Sequence, residues 1–355
     1  MLASIFLLNG CGMAYVVKQG LVHLSHIHRA KPIDKILKDP KKYRLSPEEI
    51  RKLGLVQEVQ KYAVEKIGLK PSDNYTSYVK LPKDPRVLVY VVSASEKTKL
   101  STYYWHFLIV GKVPYKGFFE LEDAQTEAHY LKKEGYDVYV RGSSAFSTLG
   151  WFDDPLYSTM LKLDDLDLMD MLFHEMAHDT IYIKDNAELN ESLATFVGAY
   201  ATLDYIEEKF GKNSNLYKKQ LSRISDSKLF SKFISKTIEK LEALYSMEKG
   251  KKNIDPSVAG ASRNDETVIQ REATPTEESI LKEREVIFES AKKELQKAHF
   301  KSKDYSYFTD LALNNAVILA MNTYYANFEK FEKEFQKQGH KFAIFLKSYQ
   351  PVSSK

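Results

Sequence analysis

The chain has one cysteine, Cys11, in 355 residues. A lone cysteine cannot close an internal disulfide, so the fold must hold together by packing. It also excludes a cysteine-rich zinc site, and any metal must be held by histidines and carboxylates. Glycine is sparse and scattered singly, at 15 residues, and no phosphate-cradling loop is present. A Gly-x-Ser-x-Gly elbow is missing too, which argues against a serine triad of that type. Cys11 lies too close to the N-terminus to suggest cysteine-histidine catalysis. Neither sign of charge dominates: 52 basic and 48 acidic residues leave +4, spread along the chain. That balance excludes an obvious nucleic-acid face. Beyond the N-terminus, no segment approaches the roughly 20 uninterrupted apolar residues of a membrane span.

What the chain does have is enough apolar material for a large core. Hydrophobic residues make up 43%, with 23 Tyr and 19 Phe against 2 Trp. Ser46-Pro47-Glu48-Glu49 is a strong helix entry, and the helix it opens should run to Ile67 and stop at Gly68, with Val56, Val59 and Ala63 on its apolar face. Residues 86–92 and 103–110 read as strands. Pro114-Tyr115-Lys116-Gly117 reads as a turn, residues 121–134 as a helix ended by Gly135, and 136–140 as another strand. From Pro155 the pattern becomes helical, over about 165–178, 188–208, 216–249, 277–297 and 309–337. The expected class is therefore α+β: a mixed sheet region in the N-terminal half packed on a mainly helical C-terminal half. Residues 251–276 are polar and read as a linker or mobile loop. They separate a core of 12–250 from a C-terminal helical part, 277–345, of the same unit.

The chemistry concentrates at His174-Glu175-Met176-Ala177-His178. On a helix, His174 and His178 lie one turn apart on one face and can share one zinc ion. Glu175 can then reach a metal-activated water and take its proton as general base. Leu168, Leu172 and Met176, with Met169, supply a separate buried stripe that would hold this helix rigidly. A catalytic zinc needs a third protein ligand. Asn190-Glu191-Ser192-Leu193-Ala194 resembles the third-ligand segment of gluzincin metallopeptidases, and Ala194 and Phe196 suit helix packing, so Glu191 is the favoured ligand. Asp185 and Glu188 are rivals.

With these residues in hand, the chain resembles the bacterial putative aminopeptidase family, predicted zinc peptidases that are often lipoproteins. The stretches that carry the resemblance are Gly10-Cys11, Lys31-Pro32-Ile33-Asp34, Tyr136-Asp137-Val138-Tyr139, Ser147 to Pro155, the histidine motif with Asn190-Glu191-Ser192, and Leu313-Asn314-Asn315-Ala316 with Thr323-Tyr324. The resemblance implies a zincin-like fold, Zn2+ as cofactor and a peptide substrate cleaved at its amino end. Leu8-Asn9-Gly10-Cys11 also resembles a lipobox, so residues 1–11 would be a signal segment and Cys11 the lipidated residue. The enzyme would then sit at the bacterial cell envelope, lipid-anchored and facing the periplasm or exterior.

Several residues are candidates for supporting roles. Thr148, Leu149 and Gly150 precede the zinc helix and could pair with substrate backbone as an open edge, or form an ordinary loop. Asp153, Asp154 and Glu188 could hold a substrate ammonium. An oxyanion needs a donor besides the metal. Helical spacing brings Asn314 into line with Tyr325, whereas the resemblance favours Tyr324; Asn314 is assigned to substrate contact. Two rival functions stand beside the aminopeptidase: a zinc endopeptidase of the envelope, and a non-catalytic zinc-binding lipoprotein. Glu175 speaks against the latter, since a structural site needs no base beside its ligands.

Overall fold

A computed structural model describes residues 2–82, 85–107, 111–145, 153–252, 276–302, 305 and 307–350, with the backbone alone for 2–14 and 247–252. Helix α1 (Leu2–Arg29) leads into strand β1 (Lys31–Pro32) and helices α2 (Ile33–Lys38) and α3 (Pro47–Tyr62). Ser46 and Glu49 form a reciprocal capping box at the start of α3, with Pro47 in its first turn. The helix widens into a π turn over Ala63–Ile67 and ends, as expected, at Gly68, whose φ of 84° is the left-handed conformation that closes a helix. Val56, Val59 and Ala63 are buried in the main core.

Strands β2 (Ser77–Val79), β3 (Val89–Ser95), β4 (Trp105–Phe107), β5 (Gly111–Val113) and β6 (Lys116–Phe118) follow, then helix α4 (Leu121–Lys133) and strands β7 (Asp137–Ser143) and β8 (Leu156–Tyr157). Two expectations shift here. The strand expected at 86–92 starts three residues later, and Lys116-Gly117 belongs to β6 rather than to a turn, because both pair with β3. The main sheet has the order β6-β3-β7, with both neighbours antiparallel to β3 and α4 crossing between them. Val92, Ala94 and Val138 pack with α4 on one face. Asp137, Tyr139 and Arg141 alternate to the other face, as strand periodicity requires.

The second half comprises α5 (Asp165–Thr180), α6 (Ala187–Phe210), α7 (Asn215–Lys252), α8 (Glu277–Gln296), α9 (Tyr307–Asp310), α10 (Asn315–Tyr325), α11 (Phe328–Lys337) and α12 (Phe342–Lys347). The single helix expected over 309–337 is thus three. Asn314 starts α10 by accepting a hydrogen bond from the Val317 N–H, and a short side chain that competes for backbone donors favours a cap over a helix interior. The expected α+β class is observed, with small mixed sheets and a mainly helical body. The segment read as a linker lies largely outside the described residues. Among those described, no helix is long and apolar enough to cross a membrane.

Two contacts set the frame for the site. Phe196 of α6 meets Phe328, Phe331 and Phe335 of α11 and Phe345 of α12, all with ring centroids within 5.7 Å. Helix α10 is bolted to β7 through Asn315. Its N–H donates to Asp137 Oδ2 at 3.0 Å, its amide nitrogen donates to the carbonyls of Glu96 and Lys97, and its Oδ1 accepts from Tyr245. Asp137 also pairs with buried Arg284 at 2.8 Å. Every polar atom of that buried amide is satisfied, which makes the junction rigid.

Candidate active site

Helix α5 opens on Asp164, whose side chain accepts from the Asp167 N–H at 2.9 Å and is itself held by Arg223. Its apolar stripe, Leu168, Met169, Leu172 and Met176, is buried as the periodicity predicts. His174 and His178 emerge from the other face with Nε2 atoms 3.1 Å apart. The chain then turns through Asp185, at φ 59°, and restarts at α6, where Asn186 caps by accepting from the Leu189 N–H. Asn190 fastens the turn: its Oδ1 accepts from the Ile183 N–H at 2.9 Å and its Nδ2 donates to the Ile183 carbonyl at 2.8 Å. The next residue, Glu191, brings Oε2 to 3.3 Å from His174 Nε2 and 3.5 Å from His178 Nε2.

Those separations fit a metal centre. With bonds of about 2.0–2.1 Å, the edge of a tetrahedron of donors is about 3.3 Å. The three ligand atoms sit at 3.1–3.5 Å from one another and form, among the described residues, a group of three metal-binding side chains. Of the rivals, Asp185 is exposed in the turn, and Glu188 accepts from Asn322 Nδ2 on α10 at 2.8 Å.

The electrostatics follow from this packing. Burial resists ionisation of Glu191, but hydrogen bonds from both imidazoles outweigh it and hold the carboxyl well below the usual range. Burial would depress His178, and the Glu191 carboxylate more than reverses that. Glu175, beside the ligands, is pushed upward by burial, with both imidazoles opposing the rise.

Gly198, two helical turns beyond Glu191, permits the close approach of α5 and α6. A Cβ there would lie 2.7 Å from the Asp170 carbonyl oxygen, would overlap the Asp170 side chain and would touch His174 Cβ at 3.4 Å. Backbone cannot yield cheaply, so Gly198→Ala should pry the helices apart and move Glu191 off the histidines. We expect a loss of about 1–3 kcal/mol in stability, read by denaturant unfolding. A gain of about 1 kcal/mol, the intrinsic helix preference of alanine, would show that the approach is not tight.

Above the ligands stands Tyr324 on α10, its ring 6.4 Å from that of His174. Burial raises its phenol far above the ordinary range, so it is neutral and able to donate. Arg141 Nη2 donates to its oxygen at 2.8 Å. Tyr115 lies close enough to Glu191, Arg141 and Glu175 to feel their charges. Tyr325, which helical spacing had aligned with Asn314, points instead into the helical core, where it receives a hydrogen bond from Tyr305 and meets Phe230. Asn314 is a cap: its Oδ1 accepts from Val317 and its Nδ2 donates to the Val138 carbonyl. Both bonds fasten the start of α10. Asp153 is exposed; Asp154 is buried beside His23 of α1 at 3.7 Å, and its N–H donates to Asn74. Thr148, Leu149 and Gly150 lie outside the described residues, and Cys11 falls within the backbone of α1.

The residues that sequence reading missed are Arg141, Tyr115 and Gly198. The only signal for Arg141 was a charge in a strand otherwise rich in Val and Tyr, and Gly198 was a glycine inside an otherwise good helix. Compared with known proteins, no curated protein and no solved structure matches the chain. One family model does, over residues 14–355, and its description is "Putative aminopeptidase". With a match running over almost the whole length and a His-His-Glu cluster at its centre, this chain belongs to the putative aminopeptidase family.

Proposed function

We propose that the protein is a zinc-dependent aminopeptidase in which Glu175 is the general base. The observation that carries this reading is a donor cluster of three, not four, among the described residues, with a carboxylate next to it that is not one of the ligands. Three protein ligands and an open position are the mark of a catalytic zinc, whereas a structural zinc is closed by four. His174, His178 and Glu191 would hold the ion. Zinc there would polarise a peptide carbonyl and make a water molecule acidic enough to deprotonate near neutral pH.

The remaining steps fall to the chain's own side chains. Glu175, its carboxyl raised by burial, takes the proton of the attacking water and passes it to the departing amine. Tyr324, a neutral phenol beside His174, donates to the carbonyl oxygen as that oxygen gains charge. Glu188 lies one turn before Glu191, with one oxygen oriented by Asn322, and is our choice for the substrate ammonium. We also propose lipid attachment at Cys11 and residence at the bacterial cell envelope, on the lipobox-like Leu8-Asn9-Gly10-Cys11.

The test is a panel of peptides with free and blocked amino ends, run with zinc-loaded and chelator-stripped protein. We expect close to one zinc per chain, cleavage of free amines alone, and loss of turnover on stripping. Equal cleavage of blocked peptides would establish an endopeptidase, and activity that survives metal removal would end the zinc reading.

A further inference from the structure

Resting on the peptidase reading above, we infer that Arg141 is a positioning residue for the hydrolysis: it grips the oxygen of Tyr324 and leaves the single phenolic proton free for the substrate oxygen that becomes negative. The contact that supports this is the 2.8 Å hydrogen bond from Arg141 Nη2 to Tyr324 Oη. A guanidinium has donors only, so the phenol must be the acceptor in that bond. A phenol has one proton, and it is therefore not spent on Arg141. The guanidinium carbon also lies 5.5 Å from the centre of the Tyr324 ring. Among the described residues no carboxylate forms an ion pair with Arg141, and its side-chain hydrogen bond goes to this phenol. Its hydrogen bond to a phenol and not to a carboxylate sets Arg141 apart from a routine salt bridge.

The geometry is built in from both ends. Asp137 of β7 receives the N–H of Asn315 at the start of α10, and Arg141 meets Tyr324 near its end. Four strand residues rise about 13 Å, and nine helix residues rise about 13.5 Å, so strand and helix stay in step between the two clamps. Tyr324 is thus held against the metal ligands by a cation on one side, with His174 nearby and the charges of Glu175 and Glu191 in reach. As the substrate oxygen gains charge and draws on the phenolic proton, electron density builds on Oη, where a charge-assisted hydrogen bond is already in place to stabilise it.

The test is a double-mutant cycle on zinc-loaded protein: wild type, Arg141→Met, Tyr324→Phe and both together, with Arg141→Lys as the conservative variant. Turnover of a free-amine peptide is measured alongside calorimetric binding of an α-aminophosphonate, a tetrahedral anion that reports on the same oxygen position without turnover. Each single change should lower kcat about 100-fold with KM altered less than about 3-fold, and the double variant should be no slower than Tyr324→Phe alone. Arg141→Lys should recover at least about 10-fold, and phosphonate binding should weaken in parallel with kcat while zinc content stays at one per chain. Losses that multiply in the double variant, or a loss carried by KM, would overturn the inference and make Arg141 a direct substrate contact. If Arg141→Met does not fold, the cycle is read with Arg141→Gln, which also removes the charge, in its place. An inactive, zinc-loaded wild type would overturn the peptidase reading and this inference with it, whereas an active wild type with multiplying losses overturns this inference alone.

Discussion

Glu175→Gln should keep its zinc and its fold and lose about 10²- to 10⁴-fold in kcat. Glu175 is adjacent to His174 in sequence but is not in the group of side chains whose ligand atoms converge. An amide of the same shape therefore disturbs the ligands little. What it removes is the ability to take a proton. Burial pushes the Glu175 carboxyl up, so it is a stronger base than an exposed glutamate, with the two imidazoles opposing the rise. Metal content by elemental analysis, beside turnover on a free-amine peptide, separates the two roles. Full turnover with Gln at 175 would remove it from the reaction.

The second large effect is on the metal. Glu191→Ala should weaken zinc binding by more than the roughly 10- to 100-fold that loss of an outer partner costs, and activity should vanish at ordinary zinc concentrations. Two reasons combine. The change deletes one of three donors, and it withdraws the anion that both imidazoles face at 3.3 and 3.5 Å. His174 and His178 alone offer neither the charge nor the third contact that a catalytic zinc uses. Asp185→Ala is the control, since that side chain is exposed in the turn. Competition titration against a chelator of known affinity measures both. An unchanged affinity in Glu191→Ala would transfer the third position to Asp185 or Glu188.

The two halves of this site differed in how readable they were. His174, Glu175 and His178 lie within one helical turn, so their mutual geometry follows from the helix alone. The helix entry at Ser46, the stop at Gly68 and the buried stripe of α5 were readable for the same reason, since each depends on residues a few places apart. The helix expected across 309–337 failed because periodicity registers the apolar faces but not the caps that interrupt them, here Asn314. Helical spacing pointed to Tyr325 because it took Asn314 as its reference, and Asn314 is a backbone cap, while the tyrosine beside His174 is Tyr324.

Local spacing and capping chemistry therefore dictated the paired histidines, the neighbouring carboxylate of Glu175 and most helix boundaries, because these are interactions within a turn or two of one element. Which carboxylate closes the cluster, which tyrosine overlooks it and which cation steadies that tyrosine were settled by packing. Arg141 and Tyr324 are 183 positions apart, and Glu191 faces the histidines across two helices that approach closely at Gly198. Such distances between elements depend on how cores and caps fit together across the whole molecule, and no periodicity along the chain encodes them.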